Sequence, residues 1–141
     1  MKKIFSLSIF CLLTIISFSQ MTVYPEGLKT GDKAPQFSAN DNQGNVFDLN
    51  KQLEKGEVVL IFYRGQWCPY CNKELGQMND SLSLITAKGA TVIAVSPEIM
   101  ENVSKTVAKT NASFPIISDS ALSIMKMYKV NFAVDDTTQE K

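Results

Sequence analysis

The strongest constraint on the fold is an alternation between short apolar runs and stretches with helical periodicity. The runs are VVLIFY at 58–63, TVIAVS at 91–96 and FPIIS at 114–118. Continuous apolar runs of this length are typical of parallel strands, which are covered on both faces. After each run, apolar residues recur at steps of three and four, as in helices. Right-handed crossovers then predict an α/β domain with a mostly parallel sheet and helices on both faces.

An N-terminal β-hairpin is predicted ahead of these runs. Residues 42–45, Asn-Gln-Gly-Asn, have the composition of a tight turn, with Phe37 and residues 46–49 in the arms. Because VVLIFY is uninterrupted by polar residues, we expect residues 58–63 to form the central strand of the sheet.

Three helices are predicted from periodicity and capping residues. The first should run for about five turns from Pro69. The second should begin at Ser96 and Pro97, a capping residue followed by proline at the first helical position. The third is expected around residues 122–128, with caps at 118–120.

The first 19 residues are interpreted as a signal peptide. Lys2 and Lys3 precede an apolar stretch from residue 4 to residue 18, and Ser17 and Ser19 supply small residues before a cleavage site. The stretch is shorter than the roughly 20 residues of a spanning helix, so no retained membrane anchor is expected. The mature chain should therefore be secreted or periplasmic, in an oxidising compartment.

Composition excludes several classes of function. The chain has 14 basic and 14 acidic residues and no histidine. The balanced charge gives no indication of a nucleic-acid partner. Without histidine, imidazole acid–base catalysis and histidine-dependent metal sites are excluded, and no cofactor or metal is predicted. Catalysis would have to depend on thiols, carboxylates or lysines.

Removal of the signal peptide leaves two cysteines, Cys68 and Cys71, where the run at 58–63 gives way to a helix. With Pro69 as the first helical residue, Cys68 is predicted to be the N-cap, and both sulfurs should lie in the first turn. Unpaired N–H groups and the helix dipole favour a thiolate there. A redox couple is the favoured interpretation, with Cys68 as the more exposed, attacking sulfur. A structural disulfide and half of a zinc site are the alternatives.

Two neighbours of the pair are further candidates. Arg64 could stabilise a thiolate by its charge, or it could be a solvated loop residue. Trp67 is expected to be a packing residue more than a contact for substrate.

The segment FYRGQWCPYCNKEL resembles the thioredoxin-like superfamily. With GDKAPQF and DNQGNVFDL before it and GATVIAVSP and FPIISD after it, the chain resembles the peroxiredoxin-like branch of the alkyl hydroperoxide reductase and thiol-specific antioxidant family. This resemblance implies a thioredoxin-like domain over residues 31–130. The polar stretch before it, with Pro25 and Gly27, is interpreted as an extended lead-in at 20–30. It also implies a thioredoxin-like electron donor and a hydroperoxide or disulfide as substrate, with Cys68 and Cys71 as the catalytic pair.

The sequence also departs from that family. An ungapped match to the peroxiredoxin motif places its proline on Arg64, its threonine on Cys68 and its peroxidatic cysteine on Cys71. After Pro115 there is no proline for the cis-proline hairpin of the family. The closing hairpin and last helix are therefore expected to be missing, with residues 131–141 as a disordered polar tail. A disulfide reductase without peroxidase activity and a catalytically weak binding module remain the alternatives.

Overall fold

The structure is a computed structural model that describes residues 26–132. The predicted signal peptide at 1–19, residues 20–25 of the lead-in and residues 133–141 of the predicted tail lie outside the described residues. Within 26–132, no helix has the length and apolar composition that a bilayer crossing requires.

The described residues form five strands and five helices. In chain order these are β1 (Ser38–Asn40), β2 (Val46–Asp48), α1 (Leu49–Leu53), β3 (Val58–Phe62), α2 (Pro69–Asp80), α3 (Leu82–Thr86), β4 (Thr91–Ser96), α4 (Met100–Thr110), β5 (Ile116–Ser118) and α5 (Ser123–Met127). The predicted hairpin, the three parallel strands and a helix after each of those strands are confirmed.

The parallel sheet has the order β3-β4-β5. Val58 of β3 lies opposite Thr91 of β4, and Ala94 of β4 lies opposite Ile116 of β5. The expectation that residues 58–63 form the central strand is wrong, because both crossovers step in the same direction and leave β4 in the middle. Residues 92–96 of β4 are accordingly all buried, whereas every residue of β3 is only half-buried.

Alternate residues of the strands face two apolar cores, one on each side of the sheet. Leu75 of α2 and Val103 of α4 pack on one face, against Val92 and Ile116. The hairpin, α1 and α5 cover the other face, where the buried cluster consists of Phe37, Phe47, Leu49, Ile93, Val95, Ile117, Ile124, Met125 and Tyr128. Helices therefore lie on both faces, as predicted.

The hairpin β1–β2 joins the sheet next to β5. Its turn is held by Asp41, whose Oδ1 accepts hydrogen bonds from the N–H groups of Gln43 and Asn45. Asn42 Oδ1 accepts from the N–H of Ile116 at 2.9 Å, and Asp41 bridges to Ile117. These contacts fix the hairpin at the β5 side of the sheet, away from β3.

The helix boundaries differ from the predictions at three points. The five-turn helix from Pro69 is interrupted at Ser81, which separates α2 from α3. Ser96 is not a helix cap, since it ends β4, and α4 begins at Met100 with Ile99 as its N-cap. The short helix α1 was not predicted, and it starts where the Asp48 carboxylate accepts a hydrogen bond from Lys51 N–H.

Candidate active site

Cys68 and Cys71 lie where the chain leaves β3 and enters α2. Pro69 occupies the first turn of the helix, and Cys68 is the N-cap with extended backbone angles, φ −85° and ψ 107°. The two cysteines form a disulfide with their Cα atoms 5.3 Å apart, within the usual range for a disulfide. The predicted location of the pair, at the carboxyl end of a parallel strand and the start of a helix, is confirmed.

The sulfur of Cys68 receives two N–H donors. Arg64 Nη2 donates to Cys68 Sγ at 3.1 Å, and the N–H of Cys71 donates to it at 3.2 Å. Both hydrogen bonds would strengthen if Cys68 carried a negative charge, because hydrogen bonds to ionised acceptors are stronger than neutral ones. The helix N-terminus adds a positive potential at the same place. The surroundings of Cys68 therefore favour a thiolate once the disulfide is reduced.

The two cysteines differ in exposure. Cys68 is 0% exposed, whereas Cys71 is partly exposed. The expectation that the N-cap sulfur would be the more exposed one is therefore wrong for the disulfide form. In that form Arg64 lies against the Cys68 sulfur, and the N–H of Cys68 donates to the carbonyl oxygen of Gly65 in a tight turn. Arg64 is itself exposed.

Trp67 stands on the surface beside the disulfide. It is 58% exposed, so the expectation of a packing role is wrong. The Arg64 guanidinium lies 5.2 Å from the centre of its ring, within the range of a cation–π contact. Arg64 therefore contacts both the indole ring and the Cys68 sulfur while it remains exposed, and both of its interpretations agree with this placement.

The loop between β3 and α2 is held by polar contacts to distant parts of the chain. The N–H of Gln66 donates to Glu98 Oε2 at 2.7 Å. The carbonyl oxygen of Gln66 accepts from Asn72 Nδ2 at 2.9 Å and from Lys109 Nζ at 3.0 Å. Lys109 Nζ also donates to the side-chain oxygen of Gln66. Gln66 is thus fixed from the β4–α4 connection, from α2 and from α4.

Two concave surfaces flank the end of β3. The larger, of about 510 Å³, is mostly apolar and is lined by Phe62, Tyr63, Arg64, Trp67, Pro97, Leu122, Met125, Val130, Asn131 and Phe132. The smaller, of about 400 Å³, includes Cys71, Tyr70 and Glu74. Phe62, Tyr63 and Arg64 line both, so the two concavities lie side by side at the end of β3.

A buried tyrosine lies beneath the site. The hydroxyl of Tyr63 donates to Thr106 Oγ1 at 3.3 Å. Burial raises the pKa of Tyr63 above its ordinary value of 10.0, and the nearby Glu98 carboxylate acts in the same direction, while hydrogen bonds with Thr106 and Ser96 oppose the rise. Tyr63 is therefore a neutral phenol at physiological pH that anchors the end of β3 to α4.

The structure brings together all five residues singled out in the sequence, namely Arg64, Trp67, Cys68, Pro69 and Cys71. Sequence reasoning missed Gln66, Glu98 and Lys109, which hold the loop.

Within residues 26–132, no three histidine, cysteine, aspartate or glutamate side chains are grouped so as to hold a metal ion.

Comparison with known proteins agrees with this geometry. The model of the AhpC/TSA family matches residues 30–139, which is most of the chain. The chain belongs to the AhpC/TSA family. Its thioredoxin-like fold, predicted from the sequence, is confirmed by solved structures of related redox proteins.

Relatives of two kinds are similar to this chain. The thiol-disulfide oxidoreductase ResA of Bacillus cereus is 32% identical over 106 residues, which are 74% of this chain and 60% of ResA. Peroxidoxin BcpB from Mycobacterium tuberculosis is 25% identical with a TM-score of 0.70, over 76% of this chain and 70% of that structure. A secreted Mycobacterium tuberculosis disulfide oxidoreductase is 26% identical with a TM-score of 0.58, over 67% and 69% of the two chains. The chain spans about 60% of the length of the ResA relatives that it matches.

Proposed function

We propose that this chain is an exported thiol-dependent oxidoreductase that reduces disulfides or hydroperoxides through Cys68 and Cys71. The observation that carries the proposal is the environment of Cys68 Sγ, which accepts from Arg64 and from the N–H of Cys71 at the start of a helix. A structural disulfide needs no cation at its sulfur, and it gains little stability from closing so short a loop. The names of the relatives support the same class of chemistry.

In disulfide reduction, the Cys68 thiolate attacks one sulfur of the substrate disulfide and expels the other as a thiolate. The resulting mixed disulfide is resolved when Cys71, after losing its proton to solvent, attacks Cys68 Sγ and releases the second substrate sulfur. The pair ends as the Cys68–Cys71 disulfide, and the two substrate thiolates take protons from solvent. A dithiol donor of the thioredoxin type regenerates the reduced pair by the reverse exchange.

Cys68 is proposed as the attacking sulfur even though it is buried in the disulfide form. In this proposal the exposed side chain of Arg64 moves aside to admit the substrate and gives up its 3.1 Å contact with Cys68 Sγ. The helix N-terminus and the N–H of Cys71 remain in place when Arg64 moves. Stabilisation of the thiolate therefore outweighs the better access to Cys71.

Hydroperoxide reduction is the second candidate, supported by the similarity to peroxidoxin BcpB. Here the Cys68 thiolate attacks the terminal peroxide oxygen and breaks the O–O bond. The alkoxide or hydroxide that leaves takes a proton from solvent to become an alcohol or water, and Cys68 becomes a sulfenic acid. Condensation with the Cys71 thiol then forms the disulfide and releases water. Arg64 lies where its guanidinium can stabilise the leaving oxyanion.

The two candidates are separated by measuring the same reduced protein in two assays. Reduction of insulin disulfides and consumption of cumene hydroperoxide are followed with a thioredoxin, thioredoxin reductase and NADPH as the electron supply. Activity in the first assay alone assigns a disulfide reductase, and activity in both assigns a peroxidase as well. If neither assay shows turnover and iodoacetamide modifies the reduced cysteines no faster than those of an unfolded peptide, the protein is a binding module and the proposal is wrong.

Export is proposed from the sequence of residues 1–19 and is supported by the similarity to a secreted disulfide oxidoreductase. The test fuses residues 1–30 to a phosphatase that folds only where disulfides form. Phosphatase activity in a bacterial host, with cleavage after residue 19 detected by N-terminal sequencing, supports the proposal. A matched fusion with Lys2, Lys3 and the apolar stretch replaced by Ser and Gly residues is the control.

A further inference from the structure

We infer that Glu98 is a positioning residue for the redox pair, because it holds the loop that places Arg64 against the sulfur of Cys68. Glu98 belongs to the connection between β4 and α4, which is remote in sequence from the cysteines. It is not seen to contact either sulfur. The inference deepens the proposed function and rests on Cys68 and Cys71 being a redox pair.

The carboxylate of Glu98 contacts the loop at two adjacent residues. Its Oε2 accepts a 2.7 Å hydrogen bond from the N–H of Gln66. It also lies against Gly65, where a side chain would have no room: a Cβ at that position would stand 2.7 Å from Glu98 Oε1 and 2.7 Å from Trp67 Nε1. Gly65, at φ +154°, thus allows the carboxylate to approach the backbone closely.

Glu98 is itself fixed by the ends of two strands. Its N–H donates to Ser96 Oγ at 3.3 Å, and its carbonyl oxygen accepts from Ser118 Oγ at 2.7 Å. Ser96 is the buried last residue of β4, and Ser118 ends β5. The backbone of Glu98 is therefore anchored at the ends of β4 and β5, and its side chain reaches from there to the loop.

Arg64 and Trp67, the residues on either side of Gly65 and Gln66, lie next to Cys68. Arg64 precedes Gly65 and donates to Cys68 Sγ, while Trp67 follows Gln66 and stacks on the Arg64 guanidinium. If the N–H of Gln66 lost its acceptor, the loop would relax and the contact between Arg64 and Cys68 would weaken. The thiolate of Cys68 would then lose part of its stabilisation.

The negative charge of Glu98 acts in the opposite direction, because an anion near a thiolate disfavours it. The positioning effect and the charge effect therefore predict opposite results when Glu98 is replaced. Glu98→Gln removes the charge and keeps an oxygen for the Gln66 N–H. Glu98→Ala removes both the charge and the acceptor.

The experiment measures the pH dependence of alkylation of reduced Cys68 in a Cys71→Ser background, where only Cys68 of the pair remains. For Glu98→Ala, we expect the midpoint of the profile to move to higher pH and the alkylation rate at neutral pH to fall about threefold to tenfold. For Glu98→Gln, we expect the midpoint to stay or to move to lower pH. With both cysteines present, Glu98→Ala should shift the equilibrium with glutathione towards the disulfide by a similar factor.

The matched control is Glu101→Ala, on the first turn of α4, which removes only an exposed pair with Lys105 and should leave the profile unchanged. If Glu98→Ala and Glu98→Gln both move the midpoint to lower pH, the charge alone acts and the inference is wrong. It is also wrong if neither variant moves the profile.

If Glu98→Ala does not fold, Glu98→Asp provides the second test. This variant keeps the charge but shortens the side chain, so a positioning role predicts a midpoint at higher pH and a pure charge effect predicts no change. Because alkylation needs no substrate, the result is independent of the proposed activity. Wild-type protein with reactive Cys68 but no turnover would contradict the proposed function and leave the role of Glu98 intact.

Discussion

The neighbouring strands β3 and β4 are similar in composition but differ in surroundings. Both are short and apolar, VVLIF and TVIAVS, and they pair in parallel register along their length. All of β4 except Thr91 is buried, since it has a strand on each side and a core on each face. Every residue of β3 is only half-buried, and β3 is followed by the loop with the cysteines. The comparison predicts that β4 contributes more to stability than β3, while the proposed chemistry lies in the loop and helix that follow β3.

The two strands are also joined at their carboxyl ends. The connection after β4 supplies Glu98, and the loop after β3 supplies Gln66, and the two meet in a 2.7 Å hydrogen bond. The connection that follows the buried strand β4 thereby holds the loop after β3. In that loop the side chains of Arg64 and Trp67 are exposed. The candidate site therefore combines a backbone held by Glu98 with two accessible side chains, those of Arg64 and Trp67.

The largest expected effect is the loss of activity on replacing either cysteine at the start of α2. We expect Cys68→Ser to lower the rate of disulfide reduction by about 100-fold or more, because no thiolate remains at the helix N-terminus. Cys71→Ser should also lose turnover but accumulate mixed disulfides on Cys68, detectable by mass spectrometry. Adducts on Cys71 in the Cys68→Ser protein, with none in the reverse variant, would transfer the attacking role to Cys71.

The second prediction concerns stability and compares the two strands directly. Ile93 of β4 is 0% exposed, so Ile93→Ala should lower the free energy of unfolding by about 2–5 kcal/mol. Leu60 lies opposite it on β3 and is half-buried, so Leu60→Ala should cost about 1–2 kcal/mol. Urea unfolding of the oxidised proteins measures both. Equal losses would contradict the assignment of β4 as the more stabilising strand.

The sequence predicted those parts of the site that are encoded locally. Proline after Cys68 and the change of period from an apolar run to a helix placed the pair at a strand–helix junction, which the structure confirms. The burial of Trp67 was predicted wrongly, because an aromatic residue beside an apolar run can face either the core or the solvent, and the tertiary neighbours decide which.

The contacts that hold the loop could not be predicted, because they join residues far apart in the chain. Glu98 and Gln66 are separated by 32 residues, and Lys109 and Gln66 by 43. The choice of central strand failed for the same reason: both apolar runs fit a buried strand, and only the direction of the crossovers decides which one lies in the middle.

The third prediction tests the exposed residue Arg64. Arg64→Ala should slow disulfide reduction about threefold to tenfold while leaving the melting temperature of the oxidised protein nearly unchanged, since Arg64 is exposed and contacts Cys68 and Trp67. Arg64→Lys should retain part of the rate, because lysine keeps the charge but lacks the planar group that stacks on the indole. The two variants are compared through kcat/KM. A rate unaffected in Arg64→Ala would remove Arg64 from the site.

The smallest expected effect is a pH dependence of stability from Tyr63, next after β3. Burial raises the pKa of its phenol in the folded protein, so the unfolded chain ionises first as the pH rises. The stabilisation associated with the neutral phenol is complete below the unfolded value of about 10 and is lost as the pH rises towards the folded value. Tyr63→Phe should be less stable by about 1 kcal/mol at pH 8, through loss of the hydrogen bond to Thr106.

That deficit should shrink or reverse above pH 10, because phenylalanine has no proton to lose in either state. Urea unfolding of the two oxidised proteins between pH 8 and pH 11 measures the difference. Tyr128, whose pKa burial also raises, is present in both proteins and cancels in the comparison. Tyr70→Phe, at an 80% exposed position, is the matched control. A deficit that stays constant across this range would mean that burial of the Tyr63 phenol does not couple ionisation to folding, and that the end of β3 opens to water more readily than its packing against α4 implies.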